Sequence, residues 1–356
     1  MNLKRIAVTA TAVAVAAMMV TPAISTAGVK VSSAEEHAVP RYNHIVEIMM
    51  ENTKYSDIIG NTLAPNLNRL ASKYGLATNY FGVTHPSEPN YITNIGGDYF
   101  GIQDDNQFYC TPAMATTDPY CGGTTVDHIV NAPSLADQLT AAHKSWKGYF
   151  QSLPPTPSTY IKVGPTANGP YTFKYPSNSN ALYASKHNPF LNFTGTVDAV
   201  QNMVSDTQLP IDLAHHALPT FSLVVPDQCH DMHGTGSCYD TNGIIAAGDT
   251  YVADTVRTIT SSPAWREGNN AIVITWDEDD YSDVGVIGTG CCGANPGGGH
   301  VATIVLTNHS DDHVVDNTAY NHYSLLRTFE DAFGLPTLGH AGDSVVPAMT
   351  PLFRKD

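Results

Sequence analysis

The sequence predicts an α/β fold, a mostly parallel central sheet with helices on both faces. Three observations predict it. Short apolar runs with the composition of strands buried on both faces recur at His44 to Met50, Thr220 to Val225, Ala271 to Trp276 and Val301 to Leu306. Segments with helical spacing lie between them, and strands alternating with helices favour parallel pairing through crossovers. Acids, asparagines or histidines stand beside the ends of these runs, and ligands of open α/β sheets bind beyond the carboxyl ends of strands.

In chain order, Lys4 and Arg5 precede an apolar run from Ile6 to Val20 and the small residues Ser25-Thr26-Ala27. That pattern predicts a secretory signal peptide over residues 1–27, followed by a single domain over 28–356. The run is shorter than the roughly 20 residues that span a bilayer, so no stable membrane insertion is expected. Without Lys4 and Arg5 the chain keeps 15 basic residues against 33 acidic ones, a charge of −18 that repels nucleic acid and anionic membranes. Only 14% of residues are charged, which leaves few ion pairs to lose in acid. Six Cys fit an oxidising compartment and an extracellular or periplasmic location. Their spacing suggests Cys110 with Cys121 and Cys229 with Cys238. Cys291 and Cys292 remain, as a vicinal disulfide or as a sign of a different pairing.

The run HIVEIMM reads as a strand followed at once by Glu51-Asn52. Pro65 to Tyr74 reads as a helix, with proline in its first turn and Gly75 just past its end. Val83 to Asn90 (VTHPSEPN) brackets Ser87 with prolines, which predicts a rigid loop without regular structure that fixes the serine hydroxyl. Ser134 to His143 opens with a Ser-x-x-Asp capping pattern and reads as a short helix. Trp146 to Phe150 reads as a further strand. About residues 152–193, rich in Pro, Tyr, Asn and Ser, an irregular insertion is expected to shape a pocket. Within it Tyr183 to Pro189 (YASKHNP) reads by itself as a surface turn. Asp227, His230, Asp231 and His233 follow the Thr220 strand, Asn242 to Ile259 is helical in pattern, and Asp277 to Asp280 follow the Ala271 strand. Gly297-Gly-Gly-His300 precedes the Val301 strand. His322 to Phe333 is an amphipathic helix stopped by Gly334, and a His at a helix amino end is favoured in its neutral form.

Carboxylates and an amide oxygen are hard ligands. Glu51, Asn52, Asp277 and Glu278 would suit one divalent cation, Mg²⁺, Ca²⁺ or Mn²⁺, and nearby histidines would admit Zn²⁺. A cation beside Ser87 would lower the pKa of its hydroxyl and make it a nucleophile. His233, His300 and His322 could hold phosphoryl oxygens or protonate a leaving alkoxide. The set points to phosphoryl transfer through a seryl intermediate.

ENTKYSD (51–57), THPSEPNY (84–91), KHNPF (186–190), DMHG (231–234), TWDE (275–278), GGGH (297–300) and NHYSLLRTFED (321–331) together resemble one family. It is the bacterial phosphoesterase family of secreted acid phosphatases, phosphatidylinositol 3-phosphate phosphatases and phospholipases C, within the alkaline-phosphatase-like superfamily. The resemblance runs in order from Glu51 to about Gly334. It implies Glu51, Asn52, Asp277 and Glu278 as metal ligands, with Ser87 both nucleophile and ligand and His233 and His322 catalytic. It implies Asn90, Lys186, His187, Asp231 and His300 as substrate-binding residues. The sulfatase pattern Cys/Ser-x-Pro-x-Arg is missing, which argues against sulfate esters.

Phospholipase members of the family tend to be longer, and this chain ends soon after the last motif, so the acid phosphatase branch is the expectation, acting on a small-molecule or lipid phosphate ester. Phospholipase C is the alternative within enzymes. A catalytically silent protein that binds metal or phosphate is the alternative outside them, and it would tolerate Ser87→Ala.

Overall fold

The computed structural model describes residues 38–105, 116, 128–153, 160–162, 171–173, 182–235, 238, 240–286, 288–309 and 313–354. The expected signal peptide and the expected Cys110–Cys121 pair lie outside them. The strands are β1 (His44–Met50), β2 (Gly75–Phe81), β3 (Trp146–Phe150), β4 (Tyr160–Lys162), β5 (Tyr171–Phe173), β6 (Met203–Ser205), β7 (Phe221–Val225), β8 (Asn270–Trp276), β9 (His300–Thr307), β10 (Val315–Asp316) and β11 (Tyr320–Asn321).

All but β4 and β5 form one sheet, in the order β10-β2-β9-β8-β1-β7-β3-β6, with β11 also paired to β2. β1 lies at its centre, parallel to β7 and β8. Ile45, Ile48, Val224, Ile272 and Ile274 are sealed from solvent, as expected of strands covered on both faces. Each buried side chain of this size contributes about 2 kcal/mol to the fold. The register Met50↔Trp276 carries Glu51 and Asp277 out of the same edge, and the Asp277 N–H donates to the Met50 carbonyl at 3.0 Å.

β9 departs from the parallel pattern, running antiparallel to both β8 and β2. Because its direction is reversed, its first residue, His300, sits at the edge where β1, β7 and β8 end. β2 was not anticipated from the sequence. Gly75 opens this strand instead of capping the preceding helix, and a Cβ there would come within 3.1 Å of the Val305 carbonyl oxygen.

The helix Pro65–Lys73 has no side-chain cap of its own. Asp249, buried on the long helix Thr241–Ser261, serves instead, accepting the N–H groups of Asn66 and Leu67 at 3.2 and 2.8 Å. The helix Leu135–Ala141 carries the capping box expected of Ser134 and Asp137. The helix His322–Phe333 is capped by Asn321 and ends at Gly334, whose φ of 73° suits glycine. The Cys229–Cys238 and Cys291–Cys292 disulfides are both formed.

Two sequence expectations need correction here. Ser87 does not lie in a loop. It is the first residue of a helix, Ser87–Gly96, with Pro86 as the N-cap residue and Pro89 in the first turn, where a proline sacrifices no hydrogen bond. The Tyr183 to Pro189 segment is no surface turn either. It forms short 3₁₀ turns whose Ser185, His187 and Asn188 are buried. Earlier in the expected insertion, β4 and β5 pair as a separate two-stranded sheet.

Candidate active site

The Ser87 hydroxyl oxygen lies 3.1 Å from Oε2 of Glu51, 3.4 Å from Oδ1 of Asn52 and 3.2 Å from Oε1 of Glu278. A hydroxyl has one proton and can donate to one of these acceptors; the other two face it lone pair to lone pair. On another side, Nζ of Lys186 approaches the same oxygen at 3.4 Å. The strand ends supply Glu51, Asn52 and Glu278, and the Ser87 helix supplies its amino terminus, where backbone N–H groups lack intrahelical partners.

Asp277 and Asp231 complete the acidic group. Oδ1 of Asp277 accepts the Asn52 N–H at 3.2 Å, while its Oδ2, sealed from solvent, has no hydrogen-bond partner. The Asp231 carbonyl accepts the Glu51 N–H at 2.8 Å. Burial raises the pKa of all four carboxyls, Glu51, Asp231, Asp277 and Glu278, and for the last three the charge of Glu51 raises it further. Lys186 shows the converse. Burial alone would lower its pKa, but the carboxylates of Glu51 and Asp105 outweigh that and raise it.

Crowded carboxylate, amide and hydroxyl oxygens with an unpartnered buried oxygen are the chemistry of a hard divalent cation. Glu51, Asn52, Ser87, Asp277 and Glu278 fit such an ion by donor type. Among the described residues, no three His, Cys, Asp or Glu side chains already stand at metal-ligand spacing.

The other sequence candidates divide. His187 joins the group, with Nε2 3.1 Å from Oε1 of Glu51, Nδ1 3.6 Å from Oδ2 of Asp231, and its ring stacked on Tyr91. Burial drives its pKa well down, which keeps the ring neutral. His233 lies beside it, ring centroids 6.2 Å apart, and its Nδ1 meets the Gly234 carbonyl at 2.7 Å. A carbonyl oxygen only accepts, so Nδ1 is the donor in that contact.

Asn90 is used up by the protein. Its Oδ1 accepts the N–H groups of Val83 and Thr84, and its Nδ2 donates to the Thr84 carbonyl and to Oε2 of Glu278, so it clips the loop before Ser87. His322 is likewise engaged at both nitrogens. Nε2 meets the Asp277 carbonyl at 2.6 Å and Nδ1 the Tyr80 hydroxyl at 3.0 Å, and burial lowers its pKa to about 4. His300 stacks on Tyr55 and contacts the Thr78 carbonyl at 3.0 Å. Asp231, expected to bind substrate, sits among the acids around Glu51, with its Oδ2 3.6 Å from Nδ1 of His187.

Sequence reasoning missed two residues. His85 lies 2.7 Å from Oε2 of Glu278 and 3.4 Å from Oδ1 of Asp279, and its place two residues before Ser87 was the available signal. Asp105 holds Lys186 at 2.8 Å from a polar stretch with no motif to mark it.

A family model described as the phosphoesterase family matches residues 61–336. The chain belongs to the phosphoesterase family. It is a phosphate-ester hydrolase by class. This phosphoesterase is 30% identical over 317 residues to a phosphatidylinositol-3-phosphatase of Mycobacterium tuberculosis, covering 89% of this chain and 84% of that one. It is 27% identical over 305 residues to a phosphate-repressible acid phosphatase of Penicillium chrysogenum, covering 84% of this chain and 60% of the fungal one. Among solved structures it resembles the phosphonate monoester hydrolase SpPMH from Silicibacter pomeroyi, with a TM-score of 0.52 and 12% identity over 88% of this chain and 77% of that one. It also resembles the lipoteichoic acid synthase LtaP from Listeria monocytogenes, with a TM-score of 0.51 and 9% identity over 91% and 79%. At such identities the likeness concerns the fold alone.

Proposed function

We propose that this phosphoesterase is a secreted, divalent-metal-dependent acid phosphatase that hydrolyses phosphomonoesters, phosphoinositides among them, through a phosphoseryl intermediate on Ser87. The observation that carries the reading is the Ser87 hydroxyl, buried at a helix amino terminus between three oxygen ligands and the Lys186 ammonium.

In this reading Glu51, Asn52, Asp277 and Glu278 would hold a divalent cation, whose positive charge would favour the Ser87 alkoxide, the hydroxyl proton passing to solvent. Ser87 Oγ attacks phosphorus, a new P–O bond forms, and the bond to the substrate's alcohol oxygen breaks. Nε2 of His233 delivers a proton to the departing alkoxide and takes one back from the water that later splits the phosphoserine. Lys186 and the N–H groups at the start of the Ser87 helix hold the phosphoryl oxygens, because a helix amino terminus favours anions. His322 and Asn90 act as positioning residues. The names of the Mycobacterium and Penicillium relatives support phosphomonoesters as the substrate class, and the signal-peptide pattern of residues 1–27 supports secretion.

The test is phosphate release from p-nitrophenyl phosphate at acid and neutral pH, before and after chelation and metal replacement, with Ser87→Ala in parallel. Turnover that chelation stops and Ser87→Ala abolishes supports the mechanism. A wild type inert on monoesters that releases diacylglycerol from phosphatidylcholine moves the reading to phospholipase C. A Ser87→Ala variant with full activity refutes the seryl intermediate.

A further inference from the structure

Asp105 is docked on the groups that a bound phosphoryl group would need. Its Oδ1 accepts the backbone N–H of Glu88 at 3.0 Å, a group in the first turn of the Ser87 helix. Its Oδ2 accepts from Nζ of Lys186 at 2.8 Å, and the same Nζ reaches the Ser87 hydroxyl oxygen at 3.4 Å. Two oxygens of one anion thus bridge a helix-terminal amide and a buried ammonium beside the nucleophile. A phosphoryl group makes the same demand, with two anionic oxygens for two converging donors.

The two partners differ in burial. The Lys186 side chain is 11% exposed and that of Asp105 32%. The Asp105 carboxylate thus already borders water, which would rehydrate it on turning outward, whereas the Lys186 side chain is largely enclosed. The neighbouring acid, Glu88, shows what a locked carboxylate looks like here. It is buried, its Oε2 lies 2.9 Å from Nδ1 of His128, and its Oε1 accepts from Asn192 at 2.8 Å. Among the described residues Asp105 has no such second clamp, and its hydrogen bonds to them are the two already named.

We propose that Asp105 is an internal stand-in for the substrate phosphate, a rim carboxylate that occupies the phosphoryl subsite of the resting enzyme and is displaced when a phosphate ester or free phosphate binds. The inference rests on the reading of Ser87 as nucleophile and Lys186 as phosphoryl clamp. Exchange of one anion for another keeps the Lys186 charge matched throughout, so the buried ammonium is never left without a partner outside the acidic group. The same exchange weakens phosphate binding, because every incoming anion competes with a tethered one.

The test is calorimetric titration of inorganic phosphate into the metal-replete full chain, comparing wild type with Asp105→Asn and Asp105→Ala. Asp254→Asn, a change at an exposed acid paired with Arg257, serves as a control for net charge. Both Asp105 variants are expected to bind phosphate roughly tenfold more tightly, the scale of removing one competing charge-assisted pair. The inhibition constant of phosphate should fall in parallel and Asp254→Asn should leave it unchanged. Equal or weaker binding by both Asp105 variants would overturn the proposal and make Asp105 a positioning residue for Lys186. Equal tightening by Asp254→Asn would overturn it as a general charge effect. If wild type itself neither binds phosphate nor hydrolyses a monoester, the reading of the site fails and this inference falls with it.

Discussion

The Lys186 ammonium lies 3.4 Å from the Ser87 hydroxyl oxygen although 99 positions separate the two residues in the chain. One belongs to a buried 3₁₀ turn and the other to a helix amino terminus, and their meeting sets an ammonium beside a ring of acids. Removal of the ammonium by Lys186→Met is expected to lower kcat/KM for a phosphomonoester by about 100-fold, the usual scale for losing one electrostatic contact to a transition state. Lys186→Arg should recover only part of it, since the planar fork does not reproduce a point charge. Steady-state kinetics decides this, and a loss smaller than about threefold would remove Lys186 from the phosphoryl clamp.

His322 bonds to the Asp277 carbonyl and the Tyr80 hydroxyl, so neither nitrogen is left to exchange a proton with substrate. His322→Gln and Tyr80→Phe should each lower kcat by about tenfold through misplaced Asp277, and leave the shape of the pH–rate profile unchanged. Loss of one limb of that profile in His322→Gln would restore the histidine to the role of proton donor.

If the proposed cation occupies the site, its removal should expose the repulsion among Glu51, Asp231, Asp277 and Glu278. Their folded-state pKa values are raised, so between the ordinary carboxyl range and those values the folded chain holds more protons than the unfolded one. Stability then falls as pH rises through that interval. Thermal unfolding after chelation should therefore drop further at about pH 7.5 than at about pH 5, and a divalent cation should restore it. A chelated protein that melts at the same temperature at both values, and gains nothing from added metal, would count against the cation.

Glu47 carries a related prediction away from the site. It is buried at the centre of β1, held by Nδ2 of Asn94 at 3.0 and 2.9 Å, and burial raises its pKa to about 8 from 4.5. Below 4.5 the group is neutral in both states. As pH rises toward 8 only the unfolded chain ionises freely, and stability declines by up to a few kcal/mol. Glu47→Gln should flatten that decline, seen as a smaller difference between urea midpoints at about pH 5 and about pH 8. An unchanged difference would show that Glu47 ionises in the folded state without penalty.

The sequence by itself determined the strands of the centre and the acids at their ends. Runs such as HIVEIMM and AIVITW are short and rich in β-branched residues, as suits strands of a covered sheet, and Glu51, Asp277 and Glu278 follow them directly. Local signals also sufficed for Ser134 with Asp137 and for Gly334, because caps involve residues a few positions apart. Tertiary structure alone decided the rest. β9 follows β8 with no helix between them among the described residues, so the chain returns antiparallel instead of crossing over, and no local pattern records a neighbour's direction. Ser87 sits in a helix, against the expectation of a loop, because its prolines fall where helical hydrogen bonds are absent anyway. His187 is buried and Lys186 largely enclosed because the turn that holds them packs against the Ser87 helix, which the polar composition of that segment does not reveal. Asp105 had no motif at all, and it gained a meaning only from the donors folding placed around it. Covalent neighbours and periodicity are written along the chain, whereas the partners of a buried charge are chosen by packing.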